Sequence, residues 1–249
     1  MNVKRLLSLL MCFALVLTML VACDKGDDPG DGAPPSEPTT AQEYMDRAMS
    51  LLETESYRQT TVKTIDGVPS TDSDDDDVLI VSGGNYTLYE NIGDAVAYMI
   101  YHNGMFYMPM LQVKWSADAG LDGFYEKAED VLYDGDWFGN FHFQSVSIEK
   151  QDNGHTVIKG ASPDQSKITT DIYTMLSMIC DLTTYQIELE FDEQYRLLKA
   201  TNTYKMNFMG VTADVVDSEI FEYGPQFTVS PPADADTYEE VSDMMDLYE

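Results

Sequence analysis

The chain has few basic side chains and many acidic ones. Its 249 residues include 14 Lys and Arg against 44 Asp and Glu, which gives a formal net charge of -30. A surface with this excess of negative charge repels phosphate backbones and anionic lipid headgroups. We therefore expect no nucleic acid among the partners of this protein.

Cysteine and histidine are also scarce, with three residues of each type. Cys12 and Cys23 lie near the N-terminus, so only Cys180 is left for a folded domain and no disulfide within the chain is expected. The neighbours of Cys180, Met178 and Ile179, indicate a small buried apolar residue rather than a nucleophile. The histidines lie in separate segments without the spacing of zinc ligands; they are His102, His142 and His155.

Catalytic motifs are missing as well. The sequence contains no G-x-S-x-G, no H-E-x-x-H and no phosphate-binding glycine loop. The acidic run at Asp72–Asp77 has Asp77 where a calcium loop needs Gly and Gly83 where it needs a bidentate Glu, so it indicates a solvated turn. We predict that the protein is not an enzyme and has no metal site.

The one long apolar run lies at the N-terminus. Lys4 and Arg5 precede apolar residues up to about Leu20, a stretch that is short for a membrane span and typical of a secretory signal. It ends in Leu-Val-Ala-Cys, which resembles the lipobox of bacterial lipoproteins. That resemblance implies that residues 1–22 are a signal peptide and that Cys23 receives a covalent diacylglycerol, the only cofactor expected. The alternative is an uncleaved anchor helix with an incidental Cys.

Composition divides the rest of the chain into three parts. Residues 23–40 are acidic and rich in Gly and Pro, which is typical of a disordered stalk after the lipidated Cys. Residues 41–228 have enough periodic apolar sequence for one domain. Residues 229–249 begin near Pro231-Pro232 and form an acidic tail, which we expect either to dock as a short helix or to fray in solvent.

Helical spacing appears in three segments of the domain. The first follows a cap at Thr39 or Thr40, and the others fit residues 121–132 and 168–179. Alternating or β-branched runs are more frequent and predict strands. The predicted strands are Tyr57–Ile65, Val78–Tyr89, the two arms of a hairpin over 97–110, Val113–Trp115, Val146–Glu149, Thr156–Lys159, Tyr185–Phe191, Leu198–Phe208, Val211–Val216 and Glu219–Tyr223.

The hairpin over residues 97–110 has apolar side chains on both faces. Its centre, Asn103-Gly104, is the favoured pair for a two-residue turn, so Tyr101 should lie opposite Phe106 and Ile100 opposite Tyr107. Hairpins in soluble domains usually expose one face to water. We therefore expect additional chain or a ligand to cover each face.

The order of these elements resembles that of LolA-type lipoprotein carriers, and more closely their lipid-anchored relatives typified by the mycobacterial LppX and LprG proteins. The resemblance rests on the lipobox, the stalk, the first helix, the YHNGMFYM hairpin and the segment IELEFDEQYRLLKATNTYKMNFMGV, and it covers most of residues 41–228. It implies an α+β fold in which a strongly curved antiparallel sheet forms a half-barrel and helices close its concave side.

In that family a hydrophobic cavity lies between the sheet and the helices. The resemblance therefore implies a noncatalytic, monomeric lipoprotein, anchored at the extracytoplasmic face of the cell membrane, that holds or transfers a lipid-like ligand. The cavity candidates are Met99, Tyr101, Phe106, Met108, Ile172, Met175, Ile179, Tyr185, Ile187, Leu189 and Phe191.

The alternative is a surface sensor or interaction module with a filled interior and a protein or polysaccharide partner. The aromatic residues around Trp137-Phe138 would suit stacking on sugar rings, although packing in a core explains them equally.

Overall fold

Strands make up most of the chain that the computed structural model describes, namely residues 37–69, 77–92, 95–117, 143–163, 181–208 and 210–241. The described elements, in chain order, are α1 (Ala41–Thr54), β1 (Tyr57–Ile65), β2 (Val68–Pro69), β3 (Asp77–Ser82), β4 (Asn85–Ile92), β5 (Ala95–His102), β6 (Met105–Met108), β7 (Val113–Ser116), β8 (Phe143–Lys150), β9 (Thr156–Pro163), β10 (Asp181–Phe191), β11 (Leu197–Phe208), β12 (Val211–Tyr223), a 3₁₀ turn (Ala235–Thr237) and β13 (Glu239–Glu240).

All the described strands belong to one 13-stranded sheet with the order β13-β7-β6-β5-β4-β3-β1-β12-β11-β10-β9-β8, and β2 pairs with β1 beside this path. Strand β1 lies in the middle, where it pairs with β3 on one side and with β12 on the other. Two meanders extend from it, β3 to β7 in one arm and β12 back to β8 in the other. The pairing is antiparallel except for β13, which runs parallel to β7.

The predicted fold class, a half-barrel whose concave side is closed by helices, is wrong. The described residues form one large open mixed sheet with a single α-helix. The alternation of apolar and polar residues specifies which way each side chain points, but curvature and closure depend on twist, bulges and packing that this pattern does not encode. The other two predicted helices, at 121–132 and 168–179, lie outside the described residues.

The predicted first helix is confirmed as α1. The Thr40 hydroxyl accepts a hydrogen bond from the Glu43 amide at 3.2 Å, and the Glu43 carboxylate accepts one from the Thr40 amide at 3.0 Å, which together form a capping box. Hydrogen bonds from the Thr39 backbone and side chain, and then from Thr40, lower the pKa of Glu43. Buried residues recur along one stripe of the helix; they are Ala41, Tyr44, Met45, Ala48 and Leu52.

The predicted Asn103-Gly104 hairpin is confirmed. Both residues have positive φ, 51° and 82°, and Tyr101 pairs with Phe106 as expected. Phe106 is buried on the face that carries α1, and Ile100 is buried on the opposite face. Each face of this hairpin therefore has a buried side chain next to the turn.

The C-terminal segment protects the edge of β7, and its described part contains one 3₁₀ turn and the short strand β13 rather than an α-helix. The Glu239 amide donates to the carbonyl of Gln112 at 2.9 Å, and the Val241 amide donates to that of Lys114 at 2.9 Å. The Tyr238 ring packs on Tyr107, with ring centroids 6.4 Å apart. These contacts pair an edge that would otherwise expose open backbone groups.

Two predicted strand boundaries are wrong. The single strand predicted over 78–89 is a hairpin, β3 and β4, because Gly83 and Gly84 adopt φ of 57° and 75° and turn the chain. The two strands predicted on either side of Asp217 and Ser218 form the continuous strand β12. In the sheet, Asp217 and Ser218 are both paired with β1 and with β11, so the strand continues through them.

Several predictions fall outside the described residues. They concern the leader and stalk up to residue 36, the acidic run at 72–76, the aromatic residues at 137–138 and Cys180. Within the described ranges, no helix is both long and apolar enough to cross a membrane.

Candidate functional site

One face of the sheet carries α1, and we call it the helix-side face. Residues paired directly across antiparallel strands point to the same side, so the strand registers define this face on both arms. On one arm the paired series is Tyr57, Val81, Tyr86, Tyr101, Phe106 and Trp115. On the other arm the series is Thr61, Glu219, Ala200, Leu189 and Ile158.

The described cavity candidates all lie on the helix-side face. Met99, Tyr101, Phe106 and Met108 come from β5 and β6, and Tyr185, Ile187, Leu189 and Phe191 come from β10. Met99, Phe106, Ile187, Leu189 and Phe191 are buried, whereas Tyr101, Met108 and Tyr185 are half-buried. Cys23, Ile172, Met175 and Ile179 lie outside the described residues.

Helix α1 covers one end of this face. It starts beside the β8–β9 hairpin, where Glu37 contacts Lys150, and it ends where β1 begins. The Tyr44 ring packs on Phe191 with centroids 5.5 Å apart and on Tyr195 at 5.7 Å. We call this the apolar end; Tyr44, Met45, Leu52, Tyr57, Phe191 and Leu197 are among its buried residues.

A group of buried and half-buried polar side chains lies further along the same strands. We call it the polar cluster, and it consists of Gln59 and Lys63 from β1, Asn202 from β11, and Asp217 and Glu219 from β12. Lys63 pairs directly with Asp217, and Asp217 pairs with Asn202 on its other side. The cluster therefore spans three adjacent strands on the helix-side face.

Two contacts organise the polar cluster. Lys63 Nζ lies 3.5 Å from Asp217 Oδ2, and the two side chains are only 18% and 9% exposed. The Tyr185 hydroxyl donates to Asn202 Oδ1 at 3.0 Å. Because water screens such a pair poorly, the attraction between Lys63 and Asp217 is stronger than that of an ion pair at the surface.

Gln59 Oε1 and Asp217 Oδ1 in the polar cluster, and Tyr57 Oη at the apolar end, are buried atoms without a hydrogen-bond partner in the part of the chain that is described. Burial raises the pKa of Tyr57 and the charge of Glu219 raises it further, so the Tyr57 hydroxyl stays protonated at neutral pH. Leaving one such group unpaired costs about 1–3 kcal/mol, more than an ordinary hydrogen bond contributes.

Aromatic rings lie on both sides of the polar cluster. On the β3–β7 arm, Tyr101 stacks on Tyr86 with centroids 5.6 Å apart, and Phe106 stacks on Trp115 at 5.4 Å. On the other arm, Tyr185 stacks between two rings; they are Phe143 at 6.3 Å and Tyr204 at 6.1 Å. The helix-side face thus offers apolar surface on either side of buried polar groups.

The polar cluster is absent from the residues predicted from the sequence, although β12 contains a signal for it. Asp217 and Glu219 have the same alternation as the apolar residues Val215 and Phe221. Acidic residues in the buried phase of a strand indicate a buried polar site. This signal is visible only when Val211–Tyr223 is read as one continuous strand.

The sequence matches no protein-family model and no curated protein. Within the described ranges, no group of three or more His, Cys, Asp or Glu side chains is placed to hold a metal ion.

Proposed function

We propose that this protein is a noncatalytic lipoprotein, anchored through Cys23 at the extracytoplasmic face of the cell membrane, that binds a lipid-like ligand on the helix-side face. The observation that carries the proposal is the shared orientation of the eight described candidates, which lie on one face with aromatic rows on both arms. Burial of apolar ligand surface there would supply about 25 cal/mol per Å².

The lipid anchor is a separate part of this proposal. Two acyl chains are enough for stable attachment to a bilayer, whereas a single chain is marginal. The lipobox-like sequence before Cys23 supports it. We expect Cys23→Ser to move the protein from the membrane fraction to the soluble or secreted fraction; unchanged fractionation would contradict lipidation.

Ligand binding is tested by extracting lipid from the protein purified from its own membranes and identifying it by native mass spectrometry. Met108→Glu places a charge on the helix-side face and should reduce the bound lipid about tenfold or more, because a carboxylate is poorly tolerated beside an acyl chain. Met105→Glu is the matched control, since Met105 lies in the same strand on the opposite face. Equal lipid content in both variants would contradict the assigned face.

A second candidate function is an interaction module with a filled interior. It is supported by the complete burial of Phe106, Leu189 and Phe191 among other side chains of the protein. Exposed Val146 and Ile148 on β8, at the edge of the described sheet, would offer contact surface for a protein partner. This candidate predicts that the purified protein contains no lipid and does not bind fluorescent fatty-acid probes.

A further inference from the structure

We propose that strand β8 is the contact edge of a symmetric dimer, in which it pairs antiparallel with β8 of a second copy of this chain. This inference goes beyond the proposed function and does not depend on a ligand. The two edges of the sheet differ, because β13 pairs with β7 at one edge, whereas among the described residues β8 pairs only with β9. β8 also lacks two common protections of an edge strand, a proline and a bulge, and such a regular edge is a template for a further strand.

The backbone of β8 has hydrogen-bonding groups directed away from β9. The Gln151 amide donates to the His155 carbonyl at 2.8 Å and closes the β8–β9 hairpin with a hydrogen-bonded pair. Such pairs alternate with non-hydrogen-bonded pairs along an antiparallel ladder, so Val146 and Ile148 occupy non-hydrogen-bonded pairs with β9. Their N–H and C=O groups therefore point outward from the edge of the sheet, where a second strand can bond to them.

The same two residues expose apolar side chains. Val146 and Ile148 are 43% and 38% exposed, and both lie on the helix-side face because they pair with Gly160 and Ile158. Burial of this surface against a second β8 would favour association. The edge thus offers backbone hydrogen bonds and apolar surface at the same residues, which is the combination that an added strand uses.

The sequence of β8 is self-complementary about Ser147. When Ser147 pairs with Ser147 of the second copy, Val146 of each copy lies opposite Ile148 of the other. This register places the residues with outward backbone groups opposite each other, so their N–H and C=O groups can bond. It also brings their apolar side chains together, since residues paired across antiparallel strands point to the same face.

Charge favours β8 as the strand that approaches its own copy. The whole chain has a formal net charge of -30, so most surfaces of two copies repel one another. β8 contains one acidic and one basic residue, Glu149 and Lys150, and is therefore neutral. In the register about Ser147, Glu149 lies opposite Ser145, and no like charges of the two strands are paired.

The dimer also fits two copies anchored in one membrane, as the proposed function requires. Lys150 lies on the helix-side face through its pairing with Thr156 and the pairing of Thr156 with Phe191, and Glu37 contacts Lys150 just before α1. The symmetry axis at Ser147 is perpendicular to the sheet, so Glu37 lies on the same side of the joined sheet in both copies. Both chains therefore enter the dimer from one side, which suits two anchors in one bilayer.

Disulfide cross-linking tests the register. The full chain with Cys180→Ala is placed in phosphatidylcholine vesicles at high density, because one strand from each copy is a smaller interface than the standard of about 1,600 Å². This parent protein, mildly oxidised, shows any disulfide through the remaining cysteines. Ser147→Cys should cross-link at least about tenfold faster than the parent, since the paired Cα atoms would lie about 4.5 Å apart.

Ser145→Cys is the matched control. Ser145 is exposed, as Ser147 is, and lies two residues away on the same face of β8. In the proposed register, its Cα atoms in the two copies would be about 13 Å apart along the strands, beyond the reach of a disulfide. We expect it to cross-link no faster than the parent.

A charge at the edge tests the apolar contact. Ile148→Lys in the Ser147→Cys protein should reduce cross-linking about tenfold or more, because a lysine at this position opposes burial against Val146 of the second copy. Val211→Lys adds the same charge to another exposed apolar residue, outside β8, and should leave cross-linking unchanged.

Residue-resolved hydrogen exchange tests the dimer without any substitution. The Val146 and Ile148 amides of the wild-type chain should exchange at least about tenfold more slowly at high than at low protein density in the vesicles, because the second strand covers them. The Ser147 amide points to β9 and is the internal control, so its exchange should not change.

The outcomes are distinct. If Ser147→Cys and Ser145→Cys cross-link equally, the contacts are random collisions and the dimer is overturned; equal losses with Ile148→Lys and Val211→Lys would overturn it as well. If neither cysteine variant cross-links and the outward amides exchange equally at both densities, β8 does not take a second copy, and a strand of a different protein becomes its candidate partner. None of these results depends on lipid extraction, so failure of the dimer leaves the proposed function standing.

Discussion

Two regions of the helix-side face lie on the same strands and contain opposite kinds of side chain. At the apolar end, Tyr57 of β1 and Tyr223 of β12 are paired, and Tyr44 of α1 packs on Phe191 nearby. A few residues along, Lys63 pairs with Asp217 in the polar cluster. The alternation of side chains along these strands therefore determines on which face a residue lies. Its position along the strand determines whether its neighbours on that face are apolar or polar.

The two regions should differ in how they respond to substitution. The apolar end is stabilised by burial and close packing, which most large-to-small changes weaken. The polar cluster contains groups whose burial costs free energy unless each is paired. Buried polar groups without partners in the protein are common in binding sites, because such groups are placed to pair with a ligand rather than with one another.

The largest effect is expected at the apolar end. Phe191→Ala removes a fully buried ring in contact with Tyr44 and should lower the free energy of unfolding by about 3–5 kcal/mol. Urea unfolding followed by circular dichroism measures it. Ile148→Ala on exposed β8 is the control and should change stability by less than about 1 kcal/mol. Similar losses in both variants would contradict the packing described here.

The stability contributed by the polar cluster should depend on whether each charged side chain keeps its partner, and less on side-chain volume. Lys63→Met leaves the Asp217 carboxylate buried without its cation and should cost about 2 kcal/mol, less than for a fully buried pair because the Lys63 side chain is 18% exposed.

A double variant isolates the interaction between the two groups. Adding Asp217→Asn to Lys63→Met should restore most of the lost stability, because the unpaired charge is then removed. If the two losses simply add, Lys63 and Asp217 are not coupled and the polar cluster is not organised by this pair.

The smallest effect is expected at the cap that holds α1 over the apolar end. Thr40→Ala removes the hydroxyl that accepts from the Glu43 amide and should cost about 1 kcal/mol in urea unfolding. Thr54→Ala, at the other end of the helix, is the control, because its hydroxyl bonds only to carbonyls of its own helix. Equal effects would contradict a specific role for the cap.

The pH dependence of the cap has a definite sign. The pKa of Glu43 is lowered in the folded chain, so its stabilising effect is complete above the usual value of 4.5 and is lost as pH falls through the lowered pKa. The stability difference between the wild-type protein and Glu43→Gln should therefore be present at neutral pH and disappear in acid. Urea unfolding of the two proteins between neutral and acidic pH measures this difference in stability. A difference that grows as the pH falls would contradict the stabilising role of the ionised Glu43 carboxylate.

Local rules predicted the local structure well. The Asn103-Gly104 turn, the Thr40 cap and the alternation of β10 each depend on a few neighbouring residues, and each is found in the structure. The hairpin at Gly83-Gly84 was equally local and could have been predicted from the glycine pair. The helix-side candidates of β5, β6 and β10 follow from the same alternation.

Longer-range features could not be derived in this way. Pairing of β1 with β12 joins residues far apart in sequence, and it is this pairing that brings Lys63 to Asp217. The open form of the sheet likewise depends on how two meanders meet at β1. Neither the pairing of β1 with β12 nor the open shape of the sheet can be recognised from the residue pattern of any one strand.

By itself, the amino-acid sequence determined the acidic surface, the capped first helix, the turns and the face to which most strand residues point, because these depend on composition and on neighbours along the chain. Only the tertiary structure decided that the sheet is open, that the C-terminal segment pairs with β7, that Gln59, Asn202, Asp217 and Glu219 are buried, and that Lys63 lies half-buried beside Asp217. The physical reason is that burial and ion pairing depend on which distant strands lie side by side, and that choice minimises the free energy of the whole chain rather than of any one segment.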